Sequence, residues 1–177
     1  MCPLLLWAGW LLVGGLDAWK AAGHPATADV PPARTGTLAP LEIRPIVVDA
    51  AYVLANLKTP NIAIVDGRTA AFYSGAQTGG NPSGPHKTGH IAGARSVPFS
   101  DTVDAANVLK PEATLQKLFA DAGVKRGDTV VAYCHIGQQA TTVLLAARTL
   151  GYKVLLYDGS FEEWSRKDYP VDNPAIK

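Results

Sequence analysis

This sequence has few cysteines and no dense cluster of charge. Its 177 residues include only two cysteines, Cys2 and Cys134, and no CxxC pair. A disulfide scaffold and a zinc site built on paired cysteines are therefore excluded. The formal net charge is +1 and no long run of one sign occurs, so the charge pattern gives no reason to expect a nucleic-acid partner.

The remaining composition is typical of a folded protein. Apolar residues make up 47% and charged residues 18% of the chain, which argues against intrinsic disorder. The length fits one domain of ordinary size with an extension, and a chain of this size can bury a substantial core.

The amino-terminal apolar run is short. It covers residues 4–16, fewer than the roughly 20 that a bilayer requires, so we expect no stable membrane span. The run could be the core of an export signal with a cleavage site at residues 26–28, although no Lys or Arg precedes it. This interpretation slightly favours a periplasmic over a cytoplasmic location.

A partial internal repeat gives a second interpretation of the amino terminus. Residues 14–19 and 159–164 both begin with glycine and end with tryptophan, and a proline follows each tryptophan at the same spacing, at Pro25 and Pro170. The two segments align without a gap. Such a repeat indicates that the early segment is the end of a preceding copy of the same domain.

The chain therefore divides into two parts. Residues 1–40 are interpreted as the remnant of a preceding domain, or as a signal-like segment, followed by a linker. The linker, rich in Pro, Ala, Thr and Gly, begins at Ala26 and reaches about Arg44. Residues 41–177 form the main domain.

Strand and helix signals alternate from Pro45 onward, which predicts an α/β domain with a mostly parallel central sheet flanked by helices. Asp49 is predicted to cap the first helix, and Ser160 with Glu163 to form a capping box for the last. Residues 77–88, rich in Gly, Pro, Asn and Ser, are predicted to be an exposed loop. The predicted strands are 62–65, 95–99, 129–133 and 154–157, and the predicted helices are 50–57, 69–73, 111–122, 140–150 and a short one containing Trp164.

Cys134 lies between a predicted strand and a predicted helix. It directly follows residues 129–133, and the helix near Ala140 begins within six residues. A tight turn of this kind directs backbone N–H groups and a helix amino end to one point, where they stabilise an anionic sulfur. Gly137 allows the loop to bend. The side chains that could add neutral donors are Gln138 and Gln139.

His135 is the one candidate base beside the cysteine. A Cys–His catalytic pair requires the imidazole to face the sulfur, which neighbours in sequence rarely achieve. The loop amides are therefore the expected activating groups.

Four separated segments resemble signatures of the rhodanese family. Residues 134–140 (CHIGQQA) are similar to its active-site loop, 89–94 (GHIAGA) to its GHIxGA signature, 66–68 (DGR) to its DxR element, and 157–160 (YDGS), with Trp164 beyond, to its carboxy-terminal signature. They occur in the family's order. With the loop 77–88 and the repeat, they resemble the catalytic second half of a tandem sulfurtransferase, whose upstream half is then a missing partner.

The resemblance implies a ping-pong reaction without a metal or organic cofactor. A thiolate at Cys134 would take the outer sulfur of a donor such as thiosulfate as a persulfide and pass it to cyanide or a thiol. Arg68 and Asp66 are expected to tie loops together, and His90 to be a structural hydrogen-bonding group. The implied site residues are Cys134 as nucleophile, the active-site loop residues His135, Ile136, Gly137, Gln138, Gln139 and Ala140, and the supporting residues Asp66, Arg68, His90 and Lys87.

Two departures from the family pattern leave the donor open. Thiosulfate-type members often carry a cation two residues after the cysteine, where this chain has Ile136. They also often carry a cation in the short helix after the DxR element, where this chain has Phe72. The Gly/Ser-rich loop of mercaptopyruvate-type members is also absent. His86, Lys87 and His90 could supply positive charge, and 3-mercaptopyruvate stays an alternative donor.

Two other functions are considered. One is a non-catalytic sulfur-binding or interaction module. The other is a phosphatase of a related loop-cysteine class, which needs an Arg six residues after the cysteine to bind phosphate. Ala140 occupies that position, which argues against it.

Overall fold

The computed structural model describes residues 12–33, 35–36, 45–79 and 86–176. The chain divides into two compact units, one formed by Met1–Glu42 with Ala105–Val108 and the other by Ile43–Asp104 with Leu109–Lys177. In the described part of the chain, no helix is long and apolar enough to cross a bilayer. Three predicted segments lie partly outside the described residues: the proposed signal core at residues 4–11, the linker at residues 34 and 37–44, and the predicted loop at residues 80–85.

The smaller unit contains one short helix, α1 (Gly15–Ala21). Trp19 on this helix donates a hydrogen bond from its indole Nε1 to the carbonyl of Pro25 at 2.8 Å. The described linker residues 26–33 and 35–36 form neither helix nor strand, as their composition predicts.

The larger unit is built around a five-stranded parallel sheet. In chain order the elements are β1 (Val47–Val48), α2 (Ala50–Ala55), β2 (Ile62–Asp66), α3 (Ala70–Tyr73), β3 (His90–Ile91), β4 (Arg95–Ser96), α4 (Phe99–Thr102), α5 (Glu112–Asp121), β5 (Thr129–Tyr133), α6 (Ala140–Thr149), β6 (Lys153–Tyr157), α7 (Ser160–Trp164) and β7 (Val171–Asp172). The strand order in the sheet is β1–β6–β5–β2–β4, and a separate antiparallel pair joins β3 and β7. The predicted α/β class is therefore confirmed.

Two apolar layers cover the two faces of the sheet. Because side chains alternate along a strand, β5 sends Val130 and Ala132 to one face and Val131 and Tyr133 to the other. Helices α5 and α6 cover the first face, and α2 and α7 cover the second. The buried residues that these helices contribute are Leu115, Phe119, Val143, Ala146 and Ala147 on the first face and Ala50, Val53, Phe161 and Trp164 on the second.

The predicted strand 95–99 is wrong in its second half. Only Arg95–Ser96 pairs with β2, and Phe99 begins helix α4 instead. Pro98 explains the difference, because it has no N–H to donate to a strand ladder. The two-residue strands β1, β3 and β7, and the short helix α4, were not predicted, because elements this short carry no periodic signal.

The predicted cap of the first helix is confirmed. The carboxylate Oδ1 of Asp49 accepts a hydrogen bond from the backbone N–H of Tyr52 at 2.8 Å. The helix ends at Ala55, earlier than the sequence indicated.

Replacing Asp49 tests this cap. Asp49→Ala removes the acceptor for an otherwise unpaired helix N–H, and we expect a loss of about 1 kcal/mol in the free energy of unfolding. Urea denaturation monitored by circular dichroism measures it. Asp49→Asn keeps an acceptor oxygen and is the control. Equal stability of the Ala and Asn variants would contradict the assigned role.

Candidate active site

Cys134 follows the last residue of β5 on the face of the sheet that α6 covers. It continues the alternation of Val130 and Ala132, and it belongs to the same apolar cluster as Ala140 and Val143 of α6. Its side chain is completely buried, with 0% exposure. The cysteine therefore belongs to the apolar layer that includes the first turn of α6, and it is closed off from bulk water.

The loop after Cys134 leaves a continuous row of backbone donors without protein acceptors. In the part of the chain that the structure describes, none of the N–H groups of residues 135–140 donates a hydrogen bond to protein. Gln139, the residue that precedes α6, makes no side-chain cap. Unpaired N–H groups at a helix amino end and in a tight turn form a site for a negative charge. This loop can therefore stabilise an anion on or next to the cysteine.

Two glycines permit the close packing around this loop. Gly137 has φ +84°, and a Cβ atom there would lie 2.5 Å from Oδ1 of Asp158. Gly67, at the end of β2, lies against α6, where a Cβ would be 3.1 Å from Cγ2 of Val143. A side chain at either position would push the loop or the helix away from the cysteine.

Helix α7 fixes the backbone of the cysteine from the other side. The N–H of Cys134 donates to Oγ of Ser160 at 3.2 Å, and its carbonyl accepts from the N–H of Phe161 at 3.0 Å. The carbonyl of His135 accepts from the N–H of Glu162, also at 3.0 Å. We call Ser160, Phe161 and Glu162 the α7 clamp. It ties the first two residues of the active-site loop to a separate helix.

The clamp overturns the predicted capping box. Ser160 makes no cap hydrogen bond; its hydroxyl donates to the carbonyl of Tyr157 at 3.0 Å and accepts from Cys134. Glu163 instead accepts a hydrogen bond from the hydroxyl of Tyr157. Ser160 has φ +53°, a left-handed conformation that is costly for a residue other than glycine. The sequence could not show that its hydroxyl accepts a hydrogen bond from the backbone of Cys134, 26 positions away.

His135 packs against an aromatic ring at the start of the loop. Its imidazole meets the ring of Phe72 edge to face, with 4.5 Å between the centroids. Burial, aided by the positive charge of Arg68, lowers the pKa of His135 below its ordinary value. The ring is therefore predominantly neutral at neutral pH.

Asp66 and Arg68 form a buried ion pair next to the site. Arg68 approaches the Asp66 carboxylate through Nε at 3.0 and 3.1 Å and through a terminal nitrogen at 2.6 Å. The same terminal nitrogen donates to the carbonyl of Gly89 at 2.7 Å. Its guanidinium carbon lies 4.1 Å from the ring centroid of Phe161 in the α7 clamp. Arg68 thus joins β2 to α7 and to the loop before β3.

Tyr133 completes this network, a role that no sequence pattern indicated. Its hydroxyl donates to Oδ2 of Asp66 at 2.8 Å and accepts from the N–H of Ile91 at 3.1 Å. Burial raises the pKa of Tyr133 well above its ordinary value, so the hydroxyl keeps its proton. Because Tyr133 directly precedes Cys134, the network holds the end of β5 at the point where the loop begins.

The remaining residues that could supply positive charge each lie against another group. His90 faces the carbonyl of Tyr73 through Nδ1 at 2.7 Å and stacks on the Tyr73 ring. Lys87 donates to the carbonyl of Tyr169 at 2.8 Å. Nε2 of His86 lies 2.9 Å from the carboxylate of Glu162.

The exposed loop positions carry neutral side chains. Ile136 is 63% exposed, Gln138 is exposed and Gln139 is half-buried. Gly137 and Ala140 are buried. The loop therefore presents an apolar side chain and amides to solvent.

Comparison with known proteins finds a shared family and a shared fold. Residues 49–167 match the rhodanese-like domain family. The chain is 34% identical to a probable 3-mercaptopyruvate sulfurtransferase of Pseudomonas aeruginosa over 91% of this chain and 58% of that protein. It is 30% identical to a thiosulfate sulfurtransferase of Rattus norvegicus over 90% of this chain and 54% of that protein. The chain thus spans little more than half the length of these curated relatives.

A solved structure shares the fold. The anaerobic ergothioneine biosynthesis enzyme of Chlorobium limicola superimposes with a TM-score of 0.81 at 24% sequence identity. The match covers 92% of this chain and 40% of that protein.

Two substitutions at Ser160 test the α7 clamp. Ser160→Ala removes the acceptor of the buried Cys134 N–H and keeps the unfavourable φ, so we expect a loss of about 1–3 kcal/mol in the free energy of unfolding. Ser160→Gly removes the same acceptor but tolerates a positive φ, so it should lose less. Chemical denaturation of both variants provides the comparison. An Ala variant as stable as the native chain would show that the hydroxyl is not required.

Proposed function

This chain belongs to the rhodanese-like domain family, and on that premise we propose that it is a sulfurtransferase that carries sulfur as a persulfide on Cys134. The observation that carries this proposal is the row of backbone N–H groups at residues 135–140, which have no protein acceptor in the described part of the chain. A thiolate and a persulfide each bear one negative charge, so the same row of donors stabilises both forms.

The proposed reaction has two steps. In the first, the Cys134 thiolate uses a lone pair to form a bond to the outer sulfur of a donor such as thiosulfate. The sulfur–sulfur bond of the donor breaks and its electron pair leaves with sulfite. In the second, cyanide or a thiolate attacks the outer sulfur of the persulfide, and the electron pair of the broken bond returns to the Cys134 thiolate.

The surrounding residues have positioning roles in this proposal. Gly137 allows the loop to turn, and the α7 clamp holds the peptide groups of Cys134 and His135. Asp66 and Arg68 hold the end of β5 through Tyr133. His135, with its lowered pKa, supplies a neutral ring beside the loop. Lys87 and His90 support neighbouring loops through backbone carbonyls.

The names of the relatives support a small-molecule sulfur donor. One relative is named for thiosulfate and another for 3-mercaptopyruvate, and both stay candidate donors for this chain. A phosphatase function receives no support, because a buried alanine, Ala140, occupies the position where that class of enzyme needs an Arg.

One observation favours a second function. Cys134 has no exposed surface, so a donor reaches it only when the loop moves. A module that binds or stores sulfur without turnover would suit a closed site of this kind. Turnover separates the two: an enzyme forms thiocyanate in large excess over protein, and a storage module forms at most one equivalent.

Replacing the nucleophile tests the proposed persulfide. After treatment with thiosulfate, the native chain should gain one sulfur atom in intact mass and lose it on addition of a thiol. Cys134→Ser should show neither change and should form no thiocyanate from thiosulfate and cyanide. Cys2→Ser is the matched control and should behave as the native chain does. A sulfur adduct or turnover that survives in Cys134→Ser would overturn the assignment.

We also propose that residues 1–40 contain the end of a preceding rhodanese-like domain. The hydrogen bond from Trp19 Nε1 to the carbonyl of Pro25, at 2.8 Å, has a counterpart from Trp164 Nε1 to the carbonyl of Pro170, at 2.9 Å. The two pairs are the ones that the repeat aligns.

The backbone supports the same correspondence. Gly15 and the residue aligned with it, Ser160, both begin a short helix in a left-handed conformation, with φ +62° and +53°. The preceding glycines, Gly14 and Gly159, differ in φ. The two segments therefore agree in backbone conformation at the first helical residue and in the hydrogen bond of the tryptophan. A chance recurrence of the same residue types would not produce these structural agreements.

Burial distinguishes the two copies. Leu16 and Trp19 on α1 are 56% and 38% exposed, whereas the aligned Phe161 and Trp164 are 3% and 0% exposed. The apolar side of α1 therefore carries the residue types of a core helix, but its side chains are exposed. A preceding domain of the same fold would supply the surface that covers it.

The two aligned tryptophans provide a paired test. In this chain, Trp164→Ala should cost about 3–5 kcal/mol in unfolding free energy because it empties a core site. Trp19→Ala should change it by less than about 0.5 kcal/mol. When a complete rhodanese-like domain precedes residue 12, Trp19→Ala should become comparably costly to that domain. If Trp19→Ala stays neutral in the longer chain, residues 12–25 are not part of a preceding domain.

A further inference from the structure

A cavity of about 520 Å³ lies at the end of the sheet that is opposite the active-site loop. It is lined by α5, by the turn that leads into β5 and by the turn between α6 and β6. Cys134 follows the carboxyl end of β5, whereas this cavity lies at the amino ends of the parallel strands β5 and β6. Its volume is typical of small-molecule sites. The cavity is therefore separate from the loop that follows Cys134.

The inner wall of the cavity is apolar and packs against the core. Val124 is 4% exposed, and Leu150 packs against the same apolar cluster of buried residues. The ring of Tyr152 stacks on the buried ring of Phe119, with 5.7 Å between the centroids. Because these contacts fix the wall within the fold, the cavity is formed before a ligand enters, as in most small-molecule sites.

Two polar groups at the cavity have no protein partner among the described residues. The guanidinium of Arg126 forms neither a hydrogen bond nor an ion pair within the described part of the chain, and the hydroxyl of Tyr152 forms no hydrogen bond there. Burial and the negative charge of Asp128 raise the pKa of Tyr152, and Arg126 opposes that rise. The hydroxyl therefore keeps its proton at neutral pH. The cavity offers a ligand both a cation and a neutral O–H donor.

Arg126 supplies the charge of the cavity. Among the described residues that line it, none is Asp or Glu. The nearby Asp128 is 3% exposed and is engaged by Arg95, whose Nη1 lies 3.3 Å from its Oδ2. Gln116, which also lines the cavity, donates its side-chain amide to Glu112 at 2.8 Å. The charge that a ligand meets inside the cavity is therefore positive, which favours an anion.

Open space adjoins the two glycines that line the cavity. A Cβ atom built at Gly127 or at Gly151 would meet no atom within 4 Å. No side chain of the described residues therefore blocks the cavity at these two points. An apolar ring that enters there would gain free energy by covering Val124, Leu150 and the ring of Tyr152.

We propose that this cavity is a binding site for an organic carboxylate that carries an apolar ring. The guanidinium of Arg126 binds the carboxylate, the hydroxyl of Tyr152 donates to the same group, and the ring covers the apolar wall. A planar guanidinium suits this ligand because it can form two parallel hydrogen bonds with a carboxylate. The proposal goes beyond sulfur transfer and does not depend on it, because none of the described lining residues belongs to the active site.

A bicyclic aromatic carboxylate probes the site directly. 2-Naphthoate is titrated into the isotope-labelled native chain at fixed ionic strength, and the backbone amide shifts are followed by NMR. We expect saturable shifts centred on Ala120, Gly127, Gly151 and Tyr152, with a Kd of about 1 mM or below. 2-Naphthalenemethanol keeps the ring without the charge, and acetate keeps the charge without the ring. Each should bind at least about tenfold more weakly than 2-naphthoate.

Variants of the lining distinguish this site from nonspecific binding. Arg126→Gln should weaken the binding of 2-naphthoate about tenfold, because it removes the charged donor. Arg148→Gln removes the same charge in the last turn of α6, outside the described lining, and should leave binding unchanged. Ala120→Trp fills the cavity and should abolish saturable binding. Ala113→Trp, on the same helix but outside the described lining, is its control and should not.

The outcomes decide the inference independently of sulfur transfer. Saturable shifts at the cavity that Arg126→Gln weakens and Ala120→Trp abolishes, with both control variants unaffected, support it. The inference is overturned by a lack of saturation at about 10 mM 2-naphthoate, by shifts centred on residues 134–140 instead, or by binding that Arg126→Gln leaves unchanged. Equal affinity for 2-naphthalenemethanol and 2-naphthoate overturns it as well. If Ala120→Trp does not fold, Arg126→Gln and its control carry the test.

Discussion

The structure depends on one junction, the six residues that carry the chain from the end of β5 into α6. A strand that ends beneath a helix amino end must leave several N–H groups without internal acceptors. Here those groups belong to residues 135–140, which directly follow a buried cysteine. The rest of the site serves to hold this junction. Gly137 permits the turn, Gly67 admits α6, and the network of Asp66, Arg68 and Tyr133 fixes the end of the strand.

Burial of Cys134 gives the junction a second consequence. Inside a closed, water-poor site, each N–H group stabilises a negative charge more strongly than it would in water. In the proposed reaction, the same closure would protect the persulfide from solvent and from oxidants. The cost is access, since Cys134 has no exposed surface. The proposed release of sulfur would then require motion of the loop, whose first two residues, Cys134 and His135, are tied to α7.

The chemistry of the loop mouth is separate from that of the loop backbone. Any side chain other than proline at position 136 or 138 leaves the N–H groups in place. In the proposed function, the backbone would carry the sulfur while the side chains contact the donor. In this chain the exposed side chains of the loop are those of Ile136 and Gln138, and neither carries a charge. One relative is named for thiosulfate and another for 3-mercaptopyruvate.

The sequence by itself determined the α/β class, the places of strands β2, β5 and β6 along the chain and the position of the cysteine after β5, because these follow from local patterns. Strand β5 was predicted residue for residue, and Asp49 caps its helix as expected. Only the tertiary structure decided which distant groups meet. Ser160 serves the amide of Cys134 instead of its own helix, Tyr133 binds Asp66, and His90 binds the carbonyl of Tyr73. The physical reason is that a hydroxyl or imidazole forms its hydrogen bond with whatever group packing brings within reach, and no local pattern encodes that partner.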